Sequence, residues 1–264
     1  MSDHHQTPRI PAVAWPFAAV AVAYLVVPLL ALLASIPWDS LADQLSSDAF
    51  LAALGLSVGT ALISTLLCVI LGVPLALVIV RARGTAKRIL RAIVLVPLLL
   101  PPVVGGIALL ALLGGLSASI NPASFGWGLA APFVAIVLAQ TFVALPFLVL
   151  AVERALRSND GRLAIAAATL GASRATIFRR ITLPIVAPGL AAGAVLCFTR
   201  ALGEFGATVT FGASVPGAAA TLPVTVFSQI ESNRDAAIVL SLVLLAVSIA
   251  AIVALKDRYT GGVS

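Results

Sequence analysis

SNDGRLAIAAATLGASRATIFRRITLP, residues 158–184, is the one long polar-flanked segment in a chain otherwise made of apolar runs. The spacing of its apolar residues predicts two short helices separated by Gly171, a residue that readily adopts the left-handed conformation at a helix end. Ser173 is the predicted N-cap of the second helix, and Pro184 is predicted to end it. Such a segment can lie on a membrane surface or fit into a groove of a partner protein.

The composition of the 264 residues is that of an integral membrane protein. Hydrophobic residues make up 61% of the chain and charged residues 10%, whereas about a quarter of a soluble domain is charged. The mean hydropathy is +1.14. The net charge of +6 comes from basic residues in short loops between apolar runs, which is typical of membrane topology. A nucleic-acid partner is therefore not predicted.

Six apolar runs are long enough to cross a membrane as helices, which takes about 20 residues each. Gly72 and Pro74 in the long second run predict either a kink or a helix that continues beyond the bilayer. The predicted fold class is therefore all-α, a polytopic membrane protein with six transmembrane helices. The runs lie near residues 14–36, 51–80, 92–114, 130–152, 186–211 and 236–255.

Lysine and arginine residues lie almost entirely on one side of these spans. Of the sixteen, fourteen precede the first span, lie within 81–91 or 153–184, or follow the last span. Only Arg234 lies in the opposite loops, and Arg200 lies within a span. By the positive-inside rule, both termini and the segment 158–184 are predicted to be cytoplasmic.

The first run raises the alternative of a cleaved signal peptide, with Ala34 before the cleavage point. Its apolar core is longer than the about 7–15 residues typical of a signal peptide, and Arg9 is the one basic residue before it. We therefore expect this span to be retained. The predicted organisation is a cytoplasmic tail, a transmembrane domain and a second cytoplasmic tail, at 1–13, 14–255 and 256–264.

Motifs for enzymatic catalysis are absent from the sequence. It contains no GxxxxGK[ST] phosphate loop, no HExxH pair and no spaced Cys/His set. Cys68 and Cys197 lie within apolar runs, where packing roles are expected. His4 and His5 lie in a polar tail. We expect that the chain is not an enzyme and that it binds no metal or cofactor.

Two ionisable residues, Arg200 and Glu204, lie four residues apart in the fifth run, where a charge in hydrocarbon is costly and marks a functional candidate. On a continuous helix they share a face and can pair, although the flanking glycines weaken the helix. A structural ion pair and a pair that lines or gates a pathway both fit this pattern. The candidate residues of such a pathway here are Arg200, Gly203, Glu204, Phe205 and Gly206.

The stretch LVPLLLPPVVGGIALL, residues 95–110, places Pro101 and Pro102 inside a predicted span, where they leave backbone groups without partners. A broken helix that lines a pathway is one interpretation. Simple bending with close helix packing at the glycine pair is the other. Gln140 and Thr141 in the fourth span carry a similar ambiguity, and interhelical hydrogen bonds are favoured there over contact with a substrate.

Residues 158–184 resemble the EAA loop of ABC importer permeases, in which E-A-A is followed after three residues by G and after nine more by I-x-L-P. Ala166 and Ala167, Gly171 and the ITLP at 181–184 match this pattern. Other stretches resemble the oxyanion permeases of the same family, those for molybdate above all, while sulfate and tungstate permeases share parts of the pattern. These stretches are LVPLLLPPVVGG (95–106), LAQTFVALPF (138–147) and RALGEFGATVTFGASVPGAAATLPVTVF (200–227).

The resemblance implies that residues 158–184, hereafter the coupling segment, dock in a groove of an ATPase subunit. Ile165 occupies the position of the family's acidic residue, so a charge-assisted contact cannot form there. Docking is then expected to depend on apolar contacts, with arginines at the rim. The predicted docking residues are Leu163, Ala166, Ala167, Leu170, Gly171, Ala172, Ser173, Arg174, Arg179, Ile181, Leu183 and Pro184.

The resemblance also implies the rest of the assembly. It indicates a type I ABC importer permease in the plasma membrane of a prokaryote, paired with a second copy of itself, two cytoplasmic ATPase subunits that use ATP and Mg, and an extracytoplasmic oxyanion-binding protein. Molybdate is the expected substrate, with sulfate or tungstate as alternatives. A secondary transporter and a membrane scaffold without transport are the other classes.

Overall fold

The computed structural model describes residues 13–119, 131–158, 162–212 and 220–260. Within these ranges the chain forms helices and no strand, which confirms the predicted all-α fold class. The helices are α1 (Ala14–Ala34), α2 (Leu41–Ser46), α3 (Asp48–Arg81), α4 (Gly84–Leu99), α5 (Pro102–Ser119), α6 (Ala131–Arg157), α7 (Arg162–Thr169), α8 (Arg174–Ile177), α9 (Leu183–Leu202), α10 (Gly206–Gly212), α11 (Leu222–Gln229) and α12 (Arg234–Thr260), with a π-helical turn, Phe178–Thr182, between α8 and α9.

Five spans among the described residues are long and apolar enough to cross a membrane, and the bent pair α4–α5 makes a sixth if it counts as one span. Helix α3 has 34 residues, a length of about 51 Å at 1.5 Å per residue. It therefore continues beyond about 30 Å of hydrocarbon, and Pro74 lies inside it without ending it. Helix α12 continues to Thr260, into the segment expected to be a tail.

The core of the bundle is formed by α3, α6 and α9. Small residues bring these helices close together: a Cβ on Gly193 would lie 3.1 Å from Leu148 Cδ1. The Cys197 thiol donates to the Ala144 carbonyl oxygen at 3.1 Å, which joins α9 to α6. Both Cys68 and Cys197 are buried and free, as expected for packing residues.

Helix α1 lies apart from this core. None of its residues is buried, and it touches the bundle along α12. Its mean hydropathy is 2.6, and large side chains such as Phe17 and Tyr24 are exposed. A helix that is apolar on all sides requires lipid or another apolar surface around it.

The third predicted span, 92–114, is broken. Helix α4 ends at Leu99, α5 begins at Pro102, and the two helices are bent by 111° relative to each other. Leu100 has extended backbone angles, φ −73° and ψ 138°, because the following Pro101 disfavours the helical conformation. Of the two interpretations of residues 95–110, the bend of 111° fits a broken helix, and its role in lining a pathway stays a prediction.

The fifth predicted span, 186–211, is also broken. Helix α9 ends at Leu202, and the chain resumes a helix at Gly206. Glycine weakens a helix because it loses the most backbone entropy on folding, and Gly203 forms the C-cap of α9. Glu204 consequently lies between two helices rather than within one.

Candidate functional site

The coupling segment contains the left-handed glycine that the sequence predicts. Gly171 has φ +83°, a conformation that glycine adopts without steric cost. Its N–H donates to the Ala168 carbonyl oxygen at 3.0 Å, and the Ala172 N–H donates to that of Ala167 at 3.0 Å. A Cβ at residue 171 would meet nothing within 4 Å. Glycine is therefore required here by backbone conformation and not by space.

The second half of the coupling segment is continuous with a core helix. Ser173 caps α8 as predicted, because its Oγ accepts from the Thr176 N–H at 3.2 Å. Helix α8 then passes through the π-helical turn into α9, so Arg174–Leu202 is one helical span of 29 residues. The prediction that Pro184 ends the second helix is wrong. Pro184 lies in the first turn of α9, after a widened turn that accommodates the missing proline donor.

The coupling segment exposes large apolar side chains. Leu163 and Leu170 are 62% and 88% exposed, and Ile165 is 66% exposed. Three such side chains on so short a segment are typical of an interaction site, and Ile165 adds apolar area where the family carries an acid. Of the other predicted docking residues, Ala166, Gly171, Ser173, Arg174, Arg179, Leu183 and Pro184 are exposed, and Ala167, Ala172 and Ile181 are half-buried.

The breaks in the third and fifth spans lie against each other. Helix α10 packs on α5 and α6. A Cβ on Gly206 would lie 2.8 Å from Pro102 Cβ. A Cβ on Gly106 would overlap Thr210 Oγ1 and lie 2.9 Å from the Ala207 carbonyl oxygen. The two glycines therefore permit a close backbone approach that larger residues prevent.

Glu204 divides its two carboxylate oxygens between the helices on either side of the break. Arg200 Nη1 donates to Oε2 at 2.5 Å, and the Ala207 backbone N–H donates to Oε1 at 2.8 Å. The Glu204 side chain is 1% exposed and that of Arg200 28%. The carboxylate thus forms the expected ion pair and also caps α10, whose N-terminal N–H groups favour a negative charge.

The other candidate path residues have different surroundings. Phe205 lies in the same break and its ring centroid is 5.0 Å from that of Phe227 on α11. Gln140 and Thr141 are buried in α6. Ser64 Oγ donates to Gln140 Oε1 at 3.1 Å, which joins α3 to α6 and fits the interhelical alternative for Gln140. The Thr141 hydroxyl has no hydrogen-bond partner among the described residues. Two further candidates, Pro101 and Gly203, are exposed at their breaks.

A second buried carboxylate, Glu153, was not predicted from the sequence. Its Oε1 accepts from Arg91 Nε and Nη2 at 3.0 and 2.8 Å and from Arg157 Nε and Nη2 at 3.0 and 2.7 Å. The carboxylate is 4% exposed, whereas the two arginine side chains are 43% and 39% exposed. These three residues, the Glu153 cluster, join α4 to the end of α6. The spacing of Glu153 and Arg157 was the available signal.

Comparison with protein families places these features in context. Residues 68–260 match the family described as "Binding-protein-dependent transport system inner membrane component". The chain belongs to this family. The match includes the coupling segment, both broken spans and the Glu153 cluster. The chain is therefore a membrane-embedded transport component, and its family is one of inner-membrane proteins.

Curated relatives support the same assignment. The molybdenum transport system permease protein ModB of Mycobacterium tuberculosis is 46% identical over 233 residues, 88% of each chain. A probable molybdenum ABC transporter permease of Haloferax volcanii is 39% identical, with 89% of this chain and 85% of the relative covered. A probable sulfate transport system permease of Marchantia polymorpha is 34% identical, with coverage of 79% and 74%.

Solved structures with the same fold are ABC importers. A bacterial ABC transporter that imports the acidic polysaccharide alginate superposes with a TM-score of 0.69 at 17% identity, over 96% of this chain and 95% of that chain. The methionine transporter MetNI superposes with a TM-score of 0.58 at 20% identity, over 83% and 99%. The fold is therefore that of ABC importer permeases.

Proposed function

We propose that the chain is the transmembrane permease subunit of an ATP-driven molybdate importer. The observation that carries the proposal is the coupling segment, which exposes apolar side chains and continues without a loop into α9. Its left-handed Gly171 and exposed Leu170 match what an importer permease needs in order to bind an ATPase. The 46% identity to a molybdenum permease supports molybdate as the substrate.

The proposed assembly contains partners for surfaces that this chain leaves exposed. A second copy of the chain forms a symmetric homodimer with the path between the copies, and two ATPase subunits bind the coupling segments. ATP and Mg are used by those ATPases and not by this chain. An oxyanion-binding protein delivers the substrate on the opposite side. With this arrangement the basic loops and both termini face the cytoplasm of a prokaryote.

Movement at the coupling segment reaches the candidate path through covalent continuity. Helix α9 begins next to the coupling segment and ends at Arg200 and Glu204, and the break there packs against α5 through Gly106 and Gly206. Closure of the ATPase dimer displaces the coupling segment and therefore shifts α9 relative to α5. The two broken spans then act as the gate of an alternating-access cycle, in which each state is favoured by a different ATPase conformation.

Sulfate is the second candidate substrate, because a sulfate permease of Marchantia polymorpha is 34% identical over 79% of this chain. Molybdate, tungstate and sulfate are all tetrahedral dianions, so the permease path distinguishes them poorly by charge. The binding protein is the expected source of selectivity, since it presents the substrate to the path.

The proposal is tested in proteoliposomes that contain the permease with its ATPase and binding protein. We expect uptake of radiolabelled molybdate that requires ATP inside the vesicle and falls to background without the binding protein. Unlabelled tungstate and sulfate, added in competition, rank the three oxyanions. Uptake that persists without ATP contradicts the proposal and favours a secondary transporter. A permease that purifies with no ATPase favours a membrane scaffold.

A further inference from the structure

A large cavity opens at the end of the bundle that carries the basic loops. It has a volume of about 1060 Å³ and lies along α6 and α9, with Arg91 of α4 at its edge. Phe147 and Leu196 contribute to an apolar wall, and a charged group lies at one end, formed by the Glu153 cluster together with Arg154. The cavity is therefore an apolar vestibule with a basic mouth.

The charge of this mouth is fixed by four side chains. Arg91, Arg154 and Arg157 carry three positive charges, and Glu153 is the one carboxylate among the residues that line the cavity. Two positive charges remain uncompensated within the described lining. A doubly charged anion neutralises them, whereas a singly charged one does not.

The Glu153 cluster leaves hydrogen-bond donors available for such an anion. Arg91 and Arg157 each use Nε and Nη2 on the same oxygen, Glu153 Oε1. A guanidinium has five N–H donors, and neither Nη1 group has a hydrogen-bond partner among the described residues. Arg154 is exposed, and its guanidinium has no hydrogen-bond or ion-pair partner among the described residues. Three guanidinium groups thus line the same cavity, and each has N–H donors that are not used within the cluster.

Glu153 is what keeps the two bound guanidinium groups adjacent. Two arginines repel each other, and each side chain is flexible unless a partner holds it. The buried carboxylate oxygen accepts four N–H groups and holds Arg91 and Arg157 side by side. Glu153 is therefore a positioning residue, and it also reduces the positive charge, which weakens anion binding.

We propose that Arg91, Arg154 and Arg157 form a low-affinity binding site for a tetrahedral oxyanion dianion at the mouth of this cavity. The inference rests on the proposed function, because it assigns the site to the substrate on its way out of the path. A conducting site must bind strongly enough for the ion to enter and weakly enough for it to leave. Two net charges, partly exposed to water, meet that requirement.

Arg154→Gln is the variant that tests the site most directly, because Arg154 makes no described ion pair that folding depends on. The ATPase–permease complex is placed in phosphatidylcholine nanodiscs without the binding protein, and bound radiolabelled molybdate is measured by equilibrium dialysis over a concentration series. We expect the substitution to raise the dissociation constant about tenfold, since it removes a charge-assisted contact. An unchanged constant overturns the proposal.

Arg88→Gln is the matched control. Arg88 is also an exposed arginine of α4 at the basic end, but it does not line the cavity. Its substitution removes the same charge from the same end of the molecule. The proposal requires that Arg88→Gln leave molybdate binding within about twofold of the parent protein, the size of a screened long-range effect. If both substitutions weaken molybdate binding equally, the arginines act through the overall positive potential of this end of the protein. That result overturns the proposed site.

Anionic lipid is the competing source of the same ligand chemistry, because a lipid phosphate is also tetrahedral. The dialysis is repeated in phosphatidylglycerol nanodiscs, and bound lipid is counted by native mass spectrometry. Molybdate binding that persists in these discs supports the proposal. The opposite result is that molybdate no longer binds in these discs and that the parent protein retains a lipid which the Arg154→Gln variant releases. That result assigns the site to lipid and overturns the proposal.

A parallel uptake assay separates this inference from the proposed function. ATP-dependent molybdate uptake by the parent complex, together with no molybdate binding in the nanodiscs, overturns the site while the importer function stands. Absence of uptake in an intact complex with an active ATPase counts against the importer function itself. The two failures are therefore distinguishable in the same preparation.

Discussion

Glycines serve opposite purposes at the two ends of the bundle. Gly171, in the coupling segment, has a left-handed backbone and nothing within 4 Å of a Cβ. Gly106, at the paired breaks, lies inside a helix with a backbone oxygen 2.9 Å from the place of a Cβ. One glycine is needed for its conformation and the other for its size. At the open end there is room for the proposed docking of another molecule, whereas at the crowded end two segments of this chain are in close contact.

The two buried carboxylates repeat this contrast. Glu204 is paired with an arginine that is itself 28% exposed, and it caps a helix at the crowded end. Glu153 is paired with arginines that are about 40% exposed, and it lies beside an open cavity. Water screens the second cluster more than the first. Substitutions at the crowded end should therefore lower stability, whereas substitutions at the open end should weaken interactions with partners.

The largest effect is expected from Gly106→Ala. The added Cβ overlaps Thr210 Oγ1 and crowds the Ala207 backbone, so α5 and α10 must move apart. We expect a loss of about 1–3 kcal/mol in stability, measured by the thermal midpoint in detergent, and uptake near background. Gly59→Ala is the control, since Gly59 lies in α3 with nothing within 4 Å of a Cβ. If both variants keep the stability and uptake of the parent protein, the close contact of Gly106 with α10 contributes to neither property.

Gly171→Asp is expected to separate transport from stability. The substitution forces a side chain into the left-handed region and places a charge beside Leu170, so docking of the ATPase is lost. We expect uptake and ATPase stimulation to fall at least about tenfold, equivalent to about 1.4 kcal/mol of docking free energy, while permease stability falls by no more than the about 1–2 kcal/mol that a side chain costs in the left-handed region.

Gly84→Asp controls for backbone strain in this experiment. Gly84 also has a positive φ, +57°, with open space around it, but it is the first residue of α4, outside the coupling segment. The Gly84→Asp variant therefore has the same cost of a side chain at positive φ but leaves the coupling segment unaltered. Unchanged uptake and ATPase stimulation in Gly171→Asp, or equal losses in both variants, would count against the coupling role.

Glu204→Gln tests whether the ion pair at the crowded end belongs to the path. The amide oxygen can still accept from the Ala207 N–H, so the cap on α10 is kept, but Arg200 loses its counter-charge. We expect uptake to fall about threefold to tenfold because an uncompensated guanidinium remains in the break. Normal uptake with a lowered thermal midpoint would show that the pair is structural.

Glu153→Gln is expected to have the smallest effect on stability. Its two partners are well exposed, so solvent screens the interaction and the loss should be about 1 kcal/mol or less. The thermal midpoints of this variant and of Glu204→Gln, measured side by side, check the comparison. If Glu153→Gln lowers the thermal midpoint more than Glu204→Gln does, the open end and not the crowded end is the one on which stability depends.

Features that depend on neighbouring residues were predictable from the sequence. The turn at Gly171 and the cap at Ser173 follow from local backbone and side-chain preferences, and both are present. The lengths of most spans follow from hydropathy alone. Whether Pro184 ends one helix or begins the next did not follow from the sequence, because proline is compatible with both positions.

Features that depend on distant residues were not predictable. Glu153 takes one of its partners from α4, 62 positions away along the chain, and nothing in a single sequence pairs those positions. Whether the spans expected at 92–114 and 186–211 are broken could not be decided from the sequence for a related reason. Each break is stabilised by the other, through Gly106, Gly206 and Pro102, so neither could be judged from its own composition.

The continuity of α8, the π-helical turn and α9 has a mechanical consequence. A helix of 29 residues is a lever arm about 43 Å long. A tilt of about 10° at Arg174 displaces the far end at Leu202 sideways by about 7 Å. A modest rotation where the ATPase is proposed to bind is thus amplified into a sideways shift of Leu202, next to the proposed gate. The π-helical turn Phe178–Thr182 lies within this lever, near its end in the coupling segment.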